Sequence, residues 1–384
     1  MNILVLGIGN AQVDLLKLLS KRHTVHALSY TSEGSGKKYA TYFQKVDIKN
    51  KEAVLDYALK YDINLVCSVG SDLGAVTSAW VSRQLQLPSL VSPEIAYICN
   101  TKNLLRKHLE GLPYNIEFKV IEKPSDFGDF KLPCIMKPVD SQGQRGVFLI
   151  ENEQQFFEKF ETSRSFSSTK RLILEEYVQG PEVSVNAYVV NNEVHFSLIS
   201  DRIVWPDFPG GLIHKHRLPS QFINAESESQ IHRLVAGVVK NLGIQNGPVY
   251  FQIKLKNNEP KLIEVTPRLD GCHLWRLIKY AMGIDLLKTT MNHLIDNSID
   301  DLTSKKLNET WILEFMCESP GTILRKNKYN IDHSLYHEWY YEEGDKIRPL
   351  NTYWEKCGYQ IYQAKEVQET CTGTKVNSVA LSKN

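Results

Sequence analysis

A lysine at the end of an apolar run is followed directly by a loop rich in glycine. Lys137 closes the run Ile135-Met136-Lys137, and Gly143 and Gly146 lie in the loop that leads to the next apolar residues. The backbone N–H groups of such a loop can close over phosphate oxygens while the ammonium neutralises their charge. The lysine precedes the glycines, so this is not a Walker A loop. Taken alone, the segment would be interpreted as a hairpin with a surface lysine.

Carboxylates close two strands further along the chain. Glu175 and Glu176 end the apolar run that starts at Leu172, and Glu264 ends a second run. Gln252 stands twelve residues before Glu264 with an Asn-Asn turn between them, so the two side chains are predicted to face each other in a hairpin. A carboxylate beside an amide is one way to hold Mg²⁺ while the ion also contacts substrate phosphates. A single acid pair of this kind is more often a solvated strand end.

A glycine turn near the N-terminus suggests a different chemistry. The segment Gly7-Ile8-Gly9-Asn10-Ala11-Gln12 joins an apolar run to a helical stripe. A dinucleotide-binding turn has Gly or Ala at its third position and an acidic residue that closes the second strand. Here Gln12 stands third, and the second strand ends Leu28-Ser29-Tyr30. The pattern favours a tight turn without a cofactor and leaves an NAD(P)-dependent oxidoreductase as an alternative.

The elements that must position these residues follow two patterns. Up to about residue 95, short apolar runs alternate with helical stripes, which predicts a parallel sheet with helices on both faces. Its strands are expected at residues 2–6, 24–28, 65–69 and 89–91. Later strands are expected as hairpins, at residues 183–190 with 193–200 and 249–255 with 261–265. A helix over 226–242 separates the two hairpins, which predicts an α+β middle part, and short strands follow residue 308.

Composition restricts the class of partner. Lys and Arg total 45 and Asp and Glu total 44, so no excess positive charge calls for nucleic acid or an anionic membrane. No run approaches the roughly 18 apolar residues of a membrane span, and the first residues lack the basic region of a signal peptide. Seven cysteines without a C-x-x-C pair predict reduced thiols and a cytoplasmic location.

Taken in order, these segments resemble the ATP-grasp superfamily over about residues 1–360. The most specific parts are the Lys-Pro pair with its glycine loop, the Glu-Glu-Tyr-Val segment and the Glu-x-x-Pro-Arg strand end. The resemblance implies an α/β Rossmann-like (pre-ATP-grasp) domain, an α+β ATP-grasp fold and a small β-rich C-terminal part. We expect these over residues 1–95, 96–307 (nucleotide-binding lid about 112–180) and 308–369, with a flexible tail over 370–384.

The resemblance also assigns a nucleotide site. Lys102 and Lys137 resemble the two phosphate-binding lysines, and Glu175 is expected to accept a hydrogen bond from the adenine amino group. Glu182 is expected to hold the ribose hydroxyls. The remaining expected ATP contacts lie in the glycine loop and in the segment after the second strand, at Ser141, Gly143, Gly146, Glu176, Tyr177 and Val178.

Metal binding and catalysis are assigned in the same way. Gln252, Glu264 and Thr266 resemble the metal ligands, with Thr266 standing where the family usually has Asn. Arg268 resembles the family's arginine, which neutralises transferred phosphate or a substrate carboxylate, and a structural ion pair at the strand end is its alternative. Arg202 lies in a long aromatic and basic loop and is expected to bind a substrate anion, with a dimer contact as the alternative role of this loop. Lys137 completes the expected catalytic set.

The resemblance implies a ligase. ATP, with Mg²⁺ or Mn²⁺, would phosphorylate a small-molecule carboxylate, and an amine would attack the acyl phosphate to release ADP and phosphate. The L-amino-acid ligase and carbamoyl phosphate synthetase-like group is the nearest in pattern, and a homodimer is one expected assembly. Two alternatives stay open, the NAD(P)-dependent oxidoreductase and a non-catalytic nucleotide-sensing module.

Overall fold

The N-terminal part is a parallel sheet covered by helices. The computed structural model describes residues 1–205, 212–349 and 354–364. The first sheet has the order β3-β2-β1-β4, with all neighbours parallel. Its strands are β1 (Asn2–Leu6), β2 (Thr24–Ser29), β3 (Tyr42–Lys45) and β4 (Leu65–Cys67). The helices are α1 (Val13–Leu19), α2 (Lys51–Lys60), α3 (Asp72–Gln84) and α4 (Pro93–Asn100).

One strand of this sheet was predicted wrongly. Residues 89–91 form no strand. The sheet still has four strands, because β3, which was not predicted, pairs with β2 at the edge of the sheet. The sequence of β3, Tyr-Phe-Gln-Lys, is largely exposed, so it lacks the continuous apolar run that marks a strand buried on both faces.

A second, smaller sheet carries the glycine loop. Its strands are β5 (Phe118–Ile121), β6 (Cys134–Pro138), β7 (Phe148–Ile150) and β8 (Leu172–Glu176), in the order β5-β8-β6-β7. Helix α5 (Lys102–His108) precedes the sheet and α6 (Glu153–Ser165) covers one face. Phe156 and Phe160 of α6 are buried against Met136 and Leu174, which fixes the helix on the two central strands.

The largest sheet runs through the rest of the described chain. Its order is β13-β12-β9-β10-β11-β14-β16-β15, so strands from beyond residue 308 extend the same sheet. The strands are β9 (Glu182–Val190), β10 (Glu193–Val204), β11 (Ile213–Leu218), β12 (Gly247–Lys256), β13 (Glu259–Thr266), β14 (Thr310–Glu318), β15 (Tyr336–Trp339) and β16 (Glu355–Ala364). The helices are α7 (Ala225–Leu242), α8 (Leu274–Met282) and α9 (Leu286–Asp296).

The two faces of this sheet differ in polarity. Val185 and Phe251 face α7 in an apolar cluster, while Ser184 and Gln252 lie directly opposite each other on the other face. Side chains alternate between faces along a strand, so the residues that pack on α7 leave their neighbours to form a polar surface. Both predicted hairpins are confirmed, and their Asn-Asn pairs have the positive φ of a tight two-residue turn.

The predicted succession of an α/β part and an α+β part is therefore confirmed. No helix in the described residues is long and apolar enough to cross a membrane. The expected tail over 370–384 lies outside the described residues, as do residues 365–369.

Candidate active site

A buried ion-pair network joins the smaller sheet to the larger one. Lys137 on β6 and Glu175 on β8 lie on adjacent strands, and Lys137 Nζ is 2.6 Å from Glu175 Oε2. Arg106 of α5 donates from Nε to Glu175 Oε1 at 2.8 Å. It also donates to the backbone carbonyls of Leu262 and Ile263 on β13, both at 2.8 Å. Helix α5 is thus tied to a strand of each sheet.

Glu175 is ionised by its neighbours although it is only 3% exposed. Burial raises its pKa, but the charges of Arg106 and Lys137 outweigh burial and hold that pKa at about 2. Both carboxylate oxygens have cationic partners within the chain. The expected contact of Glu175 with the adenine amino group stays a prediction.

Lys102 contacts the glycine loop. Lys102 Nζ donates to the backbone carbonyl of Ser141 at 2.6 Å. Burial, followed by the nearby charge of Lys137, lowers the pKa of Lys102. A side chain added at Gly143 would meet no atom within 4 Å, so that end of the loop is open. The two lysine ammonium groups therefore repel each other near an open loop, and an incoming polyanion would relieve this repulsion.

The segment after β8 is fixed against β12. Glu176 forms an ion pair with Lys256, and Lys254 donates to the carbonyl of Val178 at 3.1 Å. Lys254 Nζ also lies 5.4 Å from the centre of the Tyr177 ring. Side chains of β12 thus hold this segment in place between the two sheets.

Gly180 in this segment is a position where only glycine fits. Its φ is +144°, and a Cβ there would collide with the carbonyl oxygen of Leu255 on β12. We expect Gly180→Ala to lower the free energy of unfolding by about 2–3 kcal/mol, measured by urea denaturation. Gly111→Ala is the matched control, because φ there is +82° but no atom lies within 4 Å of the added Cβ. It should cost only about 1 kcal/mol. Equal losses for the two variants would contradict the close packing on β12.

Glu182 and Arg202 are paired with each other. Their carboxylate oxygen and guanidinium nitrogen are 2.9 Å apart, and each side chain is about one-tenth exposed, at 11% and 10%. The sequence assigned Glu182 to the ribose and Arg202 to a substrate anion. Arg202 lies on β10 rather than in the expected loop, and its charge faces that of Glu182 on the neighbouring strand β9. The expected contacts of Glu182 with the ribose and of Arg202 with a substrate anion stay predictions.

The predicted metal ligands lie side by side. Gln252 and Glu264 are directly opposite each other on β12 and β13, which confirms the predicted pairing. Thr266 is buried on β13, and its hydroxyl oxygen has no hydrogen-bond partner within the described chain. That unpaired oxygen, with one carboxylate and one amide, fits Mg²⁺ when further oxygens come from another molecule. No cluster of three His, Cys, Asp or Glu suited to a metal is found among the described residues.

Arg268 reaches the N-terminal part of the chain. Its Nε donates to Asp72 Oδ1 at 2.6 Å, and one terminal nitrogen donates to the carbonyl of Leu269 at 3.0 Å. Asp72 is the first residue of α3. The ion-pair alternative is therefore present in the structure, and a direct role of Arg268 in chemistry stays a prediction.

The N-terminal glycine turn is filled by its own glutamine. Gln12 Nε2 donates to the carbonyl of Val69 at 2.6 Å, and a Cβ on Gly7 would lie 3.0 Å from Gln12 Cδ. The side chain occupies the space over the turn, where a dinucleotide pyrophosphate would have to approach the backbone. The structure therefore gives no support to the oxidoreductase alternative.

Sequence reasoning missed Arg106 and Asp72. Arg106 lies in Arg-Lys-His at the end of α5, which is the usual composition of a solvated helix end. Asp72 opens α3 beside its cap Ser71, and an acid in the first helical turn is also common. Neither residue carries a local signal, because each partner is far away in the chain.

Comparisons with known proteins identify a family for part of the chain. Residues 130–274 match the ATP-grasp domain family. The chain is 29% identical to the ATP-grasp enzyme fsqD of Aspergillus fumigatus, over 40% of this chain and 32% of that protein. It is 27% identical to dapdiamide A synthase of Enterobacter agglomerans, over 36% of this chain and 34% of that protein. The chain thus spans about a third of the length of these two curated relatives.

The solved structures show the same fold. The L-amino acid ligase from Bacillus licheniformis superposes with a TM-score of 0.75 at 17% identity, covering 94% of this chain and 93% of that one. At this identity the likeness concerns the fold, and it extends well beyond the matched residues 130–274.

Proposed function

The chain carries an ATP-grasp domain, and from this premise we propose that it is an ATP-dependent ligase that joins a carboxylate to an amine. The observation that carries the proposal is the position of helix α5 between the glycine loop and β13. Lys102 at the start of α5 donates to Ser141 in the loop, and Arg106 donates to Glu175, the partner of Lys137, and to the carbonyls of Leu262 and Ile263. Helix α5 thus holds the two lysines and the loop against the strand that carries Glu264.

The arrangement suits phosphoryl transfer, in which proteins act mainly through position and electrostatics. Lys102 and Lys137 would hold the terminal phosphates of ATP beneath the loop at Ser141, Gly143 and Gly146. Arg268 would stabilise charge on the acyl phosphate as the substrate carboxylate attacks the γ-phosphorus. An amine then attacks the acyl carbon and phosphate leaves. Mg²⁺, held with the phosphates by Glu264, Gln252 and Thr266, would supply further neutralisation of charge.

Other features support parts of the same proposal. The relatives named as dapdiamide A synthase and L-amino acid ligase favour amide or peptide bond formation between small molecules. The six cysteines in the described ranges are free thiols, which supports a cytoplasmic location. Light scattering on the purified chain would test the homodimer that the resemblance implies.

We expect the products to be ADP and phosphate, not AMP and pyrophosphate. The physical reason is that Lys102, Lys137 and the glycine loop would hold the terminal phosphates, so the γ-phosphoryl group is the one activated. The measurement is a nucleotide-product assay over a panel of amino acids, dicarboxylates and amines, with each acid tested with and without an amine.

Two results would count against the proposal. Substrate-dependent AMP and pyrophosphate would move the chain to an adenylating class. Tight ATP binding with no turnover by any pair in the panel would favour the nucleotide-sensing alternative.

A further inference from the structure

Lys356 on β16 is a half-buried ammonium without an acidic partner. Its Nζ lies 3.5 Å from Cys272 Sγ and 3.7 Å from the centre of the Phe315 ring. No carboxylate oxygen lies within 4.0 Å of it in the part of the chain that the structure describes. Lys137, Arg202 and Arg268, by contrast, each have a carboxylate at that distance.

Lys356 lies on the same side of the large sheet as the candidate site. Phe315 beneath it packs in the cluster that contains Leu274 of α8, and Cys272 precedes that helix directly after the Arg268 strand end. His216 pairs with Arg202 across β11 and β10. Burial lowers the pKa of His216, and the charges of Arg202 and Lys356 lower it further, so all three groups share one electrostatic environment.

Burial raises the pKa of Asp270 to about 6, and the charges of Arg268 and Lys356 oppose this rise, so Asp270 is near Lys356 without touching it. An ammonium taken partly out of water with no carboxylate in contact is costly, and an anionic ligand removes that cost.

The reacting carboxylate of the proposed function belongs beside Glu264 and Arg268, at the end of β13. Lys356 lies near that end of β13, because it contacts Cys272, but it has different neighbours from Arg268. Arg268 donates to Asp72, whereas Lys356 lies over the Phe315 ring. Lys356 is therefore suited to a second anionic group, close to the one that reacts.

We propose that Lys356 binds a second anionic group carried by one of the two substrates. This inference rests on the proposed ligase function and narrows its substrate class. Either the acid is a dianion, such as a dicarboxylate, or the amine is an amino acid that presents its own carboxylate. Both sources offer the same chemistry, a carboxylate that accepts hydrogen bonds from the Lys356 ammonium over the Phe315 ring.

The kinetic test uses substrates that the product assay finds active. Lys356→Met removes the charge and keeps an unbranched apolar chain over Phe315, and Lys356→Arg retains a cation. A charge-assisted hydrogen bond contributes about 1.5–3 kcal/mol, so Lys356→Met should raise the KM of the anionic substrate about 10–100-fold. We expect kcat to change little, because the lost interaction binds the substrate and the transition state equally well. Lys356→Arg should have a KM between that of Lys356→Met and that of the parent.

Comparing substrates identifies the source of the anion. If the acid carries the second anion, the KM of glutarate should be lower than that of butyrate in the parent but not in Lys356→Met. If the amine carries it, the same should hold for the KM of glycine compared with that of methylamine. Lys326→Met is the matched control, since Lys326 also lies over an aromatic ring, 5.5 Å from the centre of Trp339, but is paired with Glu342 at 3.2 Å. That variant should behave like the parent.

A second measurement needs neither ATP nor turnover. Cys272 is half-buried, whereas the other five cysteines in the described ranges are buried, and its adduct with iodoacetamide is identified by peptide mass spectrometry. Glutarate or glycine bound at Lys356 should slow its alkylation severalfold in the parent and in Lys356→Arg. The ratio of rates with and without the anion should return to about one in Lys356→Met.

The two measurements separate this inference from the proposed function. Anion protection that depends on Lys356, in a protein without ligase turnover, would keep the anion site and overturn the ligase. Turnover with an unchanged KM in Lys356→Met, together with no protection of Cys272 by either anion, would overturn the anion site and leave the ligase standing.

Discussion

Lys137→Ala is expected to lower substrate-dependent ADP release by about 10²–10³-fold, which is the usual loss when one donor to a developing charge is removed. Lys137 is 8% exposed, its ammonium contacts Glu175, and its charge contributes to lowering the pKa of Lys102 after burial. Lys137→Ala also removes one of the two cationic partners of Glu175, while Arg106 and its bonds to β13 remain, so urea denaturation checks that the variant is folded under assay conditions. Initial rates of ADP formation, together with calorimetric titration of ATP, measure the two effects separately.

The control for this change is a lysine of the same sheet region with no place in the site. Lys131 is 85% exposed and only loosely paired with Glu117, at 3.8 Å. Lys131→Ala should therefore turn over substrate like the parent. Turnover by Lys137→Ala as fast as that of the parent would remove the lysine from the mechanism and would leave phosphate binding to Lys102.

Arg106→Met is expected to destabilise the protein by about 3–5 kcal/mol, because it breaks a buried ion pair from one side. Glu175 would keep only Lys137, and the carbonyls of Leu262 and Ile263 would lose their donor. Urea denaturation followed by circular dichroism measures the loss. The control is Arg83→Met, since Arg83 pairs with Glu94 at 2.6 Å but both side chains are more than half exposed. An exposed pair contributes about 1 kcal/mol at most, so comparable losses would contradict the buried network.

The same network predicts that the free energy of unfolding falls as the solution is made acidic. The pKa of Glu175 is about 2 in the folded chain and has a reference value of 4.5, so the folded state favours the ionised form. The contribution is fully present above about pH 4.5 and is lost as the pH falls toward 2, a change of about 3 kcal/mol. Glu175→Gln should flatten this part of the pH dependence. A mutant curve parallel to that of the parent between pH 5 and 3 would show that another carboxyl is responsible.

Local patterns in the sequence were enough for the hairpin at the metal site. The Asn-Asn turn fixes which residues of β12 and β13 are opposite each other, and the alternation of apolar residues fixes which face is buried. Gln252 and Glu264 therefore had to meet on the polar face. The glycine loop after Lys137 and the alternating N-terminal elements were predictable for the same reason, because each pattern is complete within a few residues.

The sequence itself determined the fold class, the loop and the pair of metal ligands, since turn chemistry and side-chain period act over short distances. Only the tertiary structure decided how the charges are shared. Arg106 and Glu175 are 69 residues apart in the chain, and Asp72 and Arg268 are 196 apart. A buried charge takes whichever opposite charge the packing of sheets and helices brings within reach, and no local pattern specifies that partner.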